Sequence, residues 1–131
     1  MLRRGLAALA AALLCLAGCG GDDAVSEPPE SAAVDCRGPA DRWARIQQGY
    51  LDRISDADLD ELTAGSPRID EANEWFGPAM IEQVRDAAAV GCDDEFVAGS
   101  PLLCARLDGL EPAGEAGERV VADLDASCGG G

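Results

Sequence analysis

The sequence predicts an all-α fold, a small bundle of about five short helices tied by two disulfides and preceded by a flexible tether. Three observations predict it. Apolar residues recur at spacings of three and four, as on one face of a helix. Serine, proline and glycine stand where helices begin and end, and the alternating apolar runs typical of strands are absent from the sequence.

The first predicted helix begins near Pro39, where a missing backbone N–H costs nothing because the first turn of a helix leaves its N–H groups unpaired. Trp43, Ile46, Tyr50 and Ile54 follow at helical spacing. These four residues are therefore predicted to face the core.

A second predicted helix has Ser55 as its N-cap and ends at Gly65. Aspartates in its first turn favour it because negative charge stabilises the positive end of the helix dipole. Leu59 and Leu62 are expected to face inward. Ser66-Pro67 then marks another start, a capping side chain followed by proline at the first helical position.

The chain after Pro67 carries apolar residues on both sides of Gly77-Pro78, which we expect to end one helix and begin the next. The helix before this break is predicted to bury Ile69, Ala72, Trp75 and Phe76. The helix after it is predicted to bury Met80, Ile81, Val84 and Ala88, and to end at Gly91.

The last third of the sequence predicts a short helix at 93–97, another that begins at Ser100-Pro101, and a final helix that ends at Ser127. Residues 60–67 resemble residues 94–101 at an offset of 34 positions. This period is similar to that of tetratricopeptide repeats, but the aromatic and glycine positions of that repeat are missing. We interpret the likeness as shared helix-end signals, with a true duplication as the alternative.

Residues 1–18 have the layout of a secretory signal. Arg3 and Arg4 form a positive start, and the apolar run 6–16 is too short to cross a bilayer as a stable helix. The run ends in Leu16-Ala17-Gly18-Cys19, which resembles the lipobox of bacterial lipoproteins. The resemblance implies cleavage before Cys19 and a thioether-linked lipid on its sulfur. The alternative is an ordinary signal peptide cut at another site, which leaves Cys19 a plain thiol.

The chain is therefore divided into four predicted parts. They are the signal peptide at 1–18, a lipidated acidic tether at 19–35, the helical domain at 36–128 and a frayed C-terminus at 129–131. The tether is predicted to be disordered because it is acidic, contains prolines and has few large apolar residues. The mature domain carries no resemblance to a known family.

Six cysteines are present, of which Cys15 leaves with the signal and Cys19 takes the lipid. The other four are Cys36, Cys92, Cys104 and Cys128. An even number in an exported protein favours disulfides, and the spacing lacks the close pairs that a thiolate metal site needs. We favour Cys36–Cys92 with Cys104–Cys128, because each pair would join the ends of a helical hairpin. Crossed pairings remain open.

The composition excludes several functions. The chain has 10 arginines, 25 acidic residues, no lysine and no histidine, for a net charge of −15 that becomes −17 when Arg3 and Arg4 leave. This charge argues against nucleic-acid binding and against electrostatic docking on anionic lipid, so membrane contact is assigned to the lipid on Cys19. The missing histidine and lysine exclude Ser-His-Asp and Cys-His sites, His-ligated metals, Schiff bases and P-loops.

Two acidic groups of residues are candidate sites in the sequence. Residues 56–61 begin like a calcium loop, but Glu61 and Pro67 stand where an EF-hand needs glycine and glutamate. Asp70, Glu71 and Glu74 lie near Trp75 as in a carbohydrate site, although a solvated helix face explains them more simply. We therefore predict no metal, no cofactor and no catalytic residue.

Trp43, Tyr50, Trp75 and Phe76 are the candidate contacts with a partner or ligand, although filling the core is the simpler role. The expected function is a non-catalytic binding module, lipid-anchored on the extracytoplasmic face of the cell membrane, whose partner is an envelope protein or the cell wall. A small apolar-ligand binder is the alternative, and a carboxylate-based cell-wall hydrolase is the third. A ligand binder should enclose a cavity of about 300 Å³ or more.

Overall fold

A computed structural model describes residues 33–129. In that range the chain forms five α-helices and no strand, which confirms the predicted all-α bundle. The helices are α1 (Arg37–Arg53), α2 (Leu59–Ala64), α3 (Pro67–Ala89), α4 (Pro101–Cys104) and α5 (Gly114–Gly129). Two 3-10 turns, Asp93–Glu95 and Leu107–Gly109, flank α4. Cys19, the signal peptide, the tether up to residue 32 and Gly130-Gly131 lie outside the described residues.

The two long helices, α1 and α3, pack antiparallel. Near the end of α1, the Tyr50 hydroxyl donates to Oδ1 of Asn73 at 3.1 Å. Near its start, Nε2 of Gln83 donates to the carbonyl of Pro39 at 2.7 Å. The end of α1 therefore contacts the first half of α3, and the start of α1 contacts the second half. This antiparallel pair is the framework for the rest of the domain.

The core lies on the face of α1 that the spacing predicts. Trp43, Ile46 and Ile54 are buried, and Tyr50 is half-buried. The other residues of this core come from α1 itself and from every later helix except α2, together with the segments between the helices. They are Ala40, Leu51, Ala57, Ile69, Ala72, Leu103, Leu107, Leu110 and Ala116. Leu62 of α2 packs against this core from a half-buried position.

The predicted helix break at Gly77-Pro78 is wrong, because α3 continues through both residues. A proline inside a helix removes one hydrogen bond, and its ring clashes with the Cβ of the residue before it. Gly77 has no Cβ, which removes part of this clash. Contacts with α1 on both sides of Pro78 stabilise the helix against the rest of the cost.

The continuous helix also changes which residues of α3 face the core. Gln83 and Ala87 are buried, whereas Ile81 is 63% exposed and Val84 is 46% exposed. Ala88 is exposed as well. Met80 packs against the core as predicted. The other three positions were wrong because the prediction assumed a new helix after Pro78, while the buried face in fact follows at helical spacing from the first turn of α3. Among residues 33–129, none of the helices combines the length and the apolar character that crossing a bilayer requires.

The residue that caps the start of α2 is not the predicted one. Asp58, rather than Ser55, is the N-cap: its carboxylate accepts from the backbone N–H of Glu61 at 2.8 Å. The Glu61 carboxylate in turn accepts from the N–H of Asp58 at 3.2 Å, which completes a capping box. Leu59, predicted to face inward, is exposed.

The two Ser-Pro signals are confirmed. Oγ of Ser66 accepts from the N–H of Ile69 at 3.4 Å at the start of α3. Oγ of Ser100 accepts from the N–H of Leu103 at 3.3 Å at the start of α4. The short helix predicted at 93–97 is the 3-10 turn Asp93–Glu95.

Both disulfides have the favoured pairing, Cys36–Cys92 and Cys104–Cys128. The first joins the residue before α1 to the segment after α3, and both of its cysteines are buried against Ala87. The second joins α4 to the end of α5, and both of its cysteines are half-buried. One bridge therefore closes the open end of the long helix pair, and the other holds the C-terminal helix.

We predict that the two bridges differ in their contribution to stability. Replacing Cys36 and Cys92 by alanine should lower the free energy of unfolding by about 4 kcal/mol, and replacing Cys104 and Cys128 by about 3 kcal/mol. The first loop is longer, with a sequence separation of 56 against 24, so its closure restricts the unfolded chain more. Urea unfolding of both double variants measures this. A larger loss for the Cys104–Cys128 pair would contradict it.

Candidate binding groove

An apolar groove of about 220 Å³ lies between α1, α3 and the C-terminal third of the domain. Its lining comes from α1, α3, α4, α5 and the segments on either side of α4. The lining residues are Trp43, Gln47, Met80, Val84, Phe96, Ala98, Gly99, Leu103, Leu107, Leu124, Ser127 and Cys128. Every one of them is uncharged, in a chain whose net charge is −15.

The inner wall of the groove belongs to the core. Trp43 is only 6% exposed and packs within the main cluster of buried residues. Gln47, one turn further along α1, is also buried, and its Nε2 donates to Sδ of Met80 at 3.8 Å. A thioether is a weak acceptor, so the inner wall is apolar apart from this amide.

The outer edge of the groove is open to solvent. Val84 on α3, Ala98 in the following loop and Ser127 on α5 are all exposed. Val84 and Ile81 are neighbours on α3 because residues three apart lie side by side on a helix. The apolar surface of the groove thus extends outward along α3.

The end of α5 is held beside the groove by two constraints. Cys128 is bonded to Cys104, and the carbonyl of Ser127 lies against Gly99. A Cβ at Gly99 would come within 2.6 Å of that carbonyl oxygen, and Gly99 has a φ of +78°, a conformation that favours glycine. Both the close approach and the turn therefore require glycine at this position.

The structure separates the four predicted contact residues into two places. Trp43 lines the groove, whereas Tyr50, Trp75 and Phe76 are half-buried together where the end of α1 meets the first half of α3. The ring centroids of Tyr50 and Phe76 are 4.8 Å apart. Burial raises the pKa of Tyr50, whose hydroxyl is bonded to Asn73.

Trp75 packs against α1 so closely that its ring lies over Gly49. The guanidinium carbon of Arg53 is 3.7 Å from the centroid of the Trp75 ring, a cation–π contact, and Arg53 also donates to the carbonyl of Gly49 at 2.7 Å. One face of the indole is therefore covered by Arg53. This arrangement supports a role in packing for Trp75 rather than a sugar platform.

The acidic residues of the two candidate sites do not line the groove. Asp70, Glu71 and Glu74 are exposed on α3, and none of them lines the groove. Asp58 and Glu61, from the stretch that begins like a calcium loop, cap α2 instead. Within residues 33–129, no three His, Cys, Asp or Glu side chains lie close enough together to hold a metal ion.

Two further depressions lie elsewhere on the domain. One, of about 380 Å³, has the exposed carboxylates Asp108, Glu118 and Asp125 on its lining. The other, of about 260 Å³, lies beside Arg42, Arg45 and Gln83. Oε1 of Gln83 is buried, and it is the one buried side-chain polar atom in the described residues without a hydrogen-bond partner.

The sequence identified Trp43 as a candidate contact but did not reveal the groove. Its other lining residues carry the same apolar pattern as the core, and a gap between packed helices leaves no mark in that pattern. The sequence predicts an interior position for Val84 because it places a helix break at Pro78, which gives α3 the wrong phase.

The chain matches no protein family, no curated protein and no solved structure.

The contact between Gly49 and Trp75 gives a prediction about the aromatic cluster. Gly49→Ala should lower the free energy of unfolding by about 1–3 kcal/mol, because the new Cβ would stand 2.6 Å from Cη2 of Trp75 and force the indole to move. Thermal and urea unfolding measure the change, and tryptophan emission reports the indole.

Gly109→Ala is the matched control, since a Cβ at Gly109 meets nothing within 4 Å. We expect it to change stability by less than about 1 kcal/mol. Equal losses in the two variants would mean that the close approach to Trp75 does not matter.

Proposed function

We propose that this protein is a non-catalytic binding module of the cell envelope, anchored by a lipid on Cys19 to the extracytoplasmic face of the cell membrane. The groove is the observation that carries the binding role. The anchoring role rests on the sequence from Leu16 to Cys19. The protein's task is to hold an envelope protein that inserts an apolar side chain into the groove.

The size of the groove favours a protein partner over a small molecule. Pockets that enclose small molecules usually measure about 300–1,000 Å³, and this one measures about 220 Å³. A protein interface concentrates its binding energy in a few anchor side chains seated in well-packed pockets. The exposed Ile81 and Val84 beside the opening add the surrounding apolar surface that such an interface needs.

The distribution of carboxylates favours binding over hydrolysis. Glycoside hydrolysis needs two carboxyl groups across a cleft, one of them with a pKa raised by burial. Asp70, Glu71 and Glu74 stand exposed on α3, and the lining of the groove is uncharged. The groove therefore lacks the groups that would act on a glycoside.

The anchoring proposal predicts that Cys19→Ala releases the protein from the membrane. The mature chain is too acidic for a second, electrostatic anchor on anionic lipid, so loss of the lipid should move the protein into the soluble extracytoplasmic fraction. Cell fractionation measures this. A non-reducing gel and circular dichroism should show that the variant keeps both disulfides and its helices. Firm membrane association of Cys19→Ala would contradict the proposal.

The binding proposal predicts that Val84→Asp prevents the protein from engaging its partner in living cells. A photo-crosslinking residue incorporated at Ile81, beside the groove, should give a defined adduct with an envelope protein. The added Val84→Asp should abolish this adduct because it places a charge at the apolar edge.

Val90→Asp is the matched control. Val90 is 54% exposed, close to the 46% of Val84, and follows α3 without lining the groove. It should leave the adduct unchanged, and both variants should stay within about 0.5 kcal/mol of the parent in stability. The same adduct in all three proteins, or none from Ile81 in any of them, would refute the groove as the partner site.

A further inference from the structure

We infer that the groove receives one large apolar side chain from a basic segment of another protein, with arginine or lysine on both sides of that side chain. The inference rests on the proposed function, which makes the groove the binding site. It adds the chemical class of the partner. Three features carry it: the charge of the domain, the acidic residues next to the groove, and the volume of the groove.

The domain surface has a large excess of negative charge. Residues 33–129 contain 21 aspartates and glutamates but only eight arginines. Half of those arginines are already paired with carboxylates of the same domain. These pairs are Arg37–Asp35, Arg42–Asp86, Arg106–Asp41 and Arg119–Asp123. The negative electrostatic potential of the carboxylates that remain unpaired attracts basic partners and repels acidic ones.

Acidic residues stand next to the uncharged lining of the groove. On α5, the exposed Asp123, which is paired with Arg119, lies one turn before Ser127 of the groove lining. The exposed 3-10 turn Asp93–Glu95 leads directly into Phe96. Phe96 itself lines the groove. A segment that seats an apolar side chain there therefore passes carboxylates on two sides.

The negative charge of the domain also disfavours three other occupants of the groove: the tether, a second copy of the domain and anionic lipid. The preceding tether is acidic, with Asp22, Asp23, Glu27 and Glu30, and it offers no aromatic or leucine side chain between Gly20 and Asp35. A second copy of this domain would bring the same negative excess to the interface. Anionic lipid is repelled for the same reason. Complementary charge is what interfaces select, and here only a basic partner supplies it.

The volume of the groove limits the occupant to about one side chain. An apolar cavity of about 150 Å³ holds a benzene molecule. The groove measures about 220 Å³, which suits a phenylalanine or leucine side chain with little space left. The bordering carboxylates then contact the residues before and after this anchor.

The experiment measures the binding of designed peptides to the mature chain, which begins at residue 19 and carries Cys19→Ala. Without the lipid this protein needs no detergent. The first peptide has one phenylalanine between two pairs of arginines. The second replaces the arginines by glutamates, the third replaces them by glutamines, and the fourth replaces the phenylalanine by alanine. Calorimetry gives the affinities at low and high salt. Emission of Trp43, measured in a Trp75→Phe background, reports entry into the groove because the chain has two tryptophans.

We expect the first peptide to bind at least tenfold more tightly than each of the other three. Its affinity should fall as salt screens the charges, and Trp43 emission should shift. Val84→Asp should weaken binding at least tenfold even though it makes the protein more negative, whereas Val90→Asp, which adds the same charge elsewhere, should not.

Three results would overturn the inference while the proposed function stands. The first is that the glutamine or glutamate peptide binds as tightly as the arginine peptide. The second is that no peptide binds although Ile81 still forms its Val84-dependent adduct in cells. The third is equal binding of the alanine peptide, because charge alone would then hold the peptide. The proposed function fails separately, through the absence of that adduct.

Discussion

The antiparallel contact between α1 and α3 is the constraint on which the rest of the domain depends. The pair is closed at one end by the Cys36–Cys92 bridge and joined near the other by Tyr50 and Asn73. The shorter helices α4 and α5 supply Leu103 and Ala116 to the core beside it. The end of α5 lines one side of the groove, and the Cys104–Cys128 bridge and the close approach of Ser127 to Gly99 fix it there.

The parts of this fold that the sequence predicted are those set by local chemistry. A serine followed by proline caps a helix through one hydrogen bond within the same turn, so Ser66 and Ser100 were assigned correctly. The break at Gly77-Pro78 was predicted on the same local grounds and failed. There the outcome depends on contacts with α1 tens of residues away, and contacts of that kind leave no local signal.

The candidate site was predictable only in part, and for a related reason. Trp43 was identified because large aromatic residues are scarce in this chain, but the same reasoning grouped it with Trp75, which packs under Arg53 instead. Val84 shows the difficulty most clearly. Its exposure follows from the phase of α3, and one wrong assumption at Pro78 turned a residue at the edge of the groove into a core residue. Space between helices depends on their packing and has no sequence pattern of its own.

The proposed anchor is linked to the groove through the residues at which the described domain begins. Val34 lies against Gly91, just after α3. The nearby Cys36–Cys92 pair packs against Phe96, which also lines the groove. Phe96 therefore connects the first residues of the described domain to the groove. The fifteen residue steps from Cys19 to Val34 span at most about 50 Å. Under the proposed anchoring, the groove stays within this reach of the membrane surface plus the width of the domain, so the proposed partner is one that is found at or near that surface.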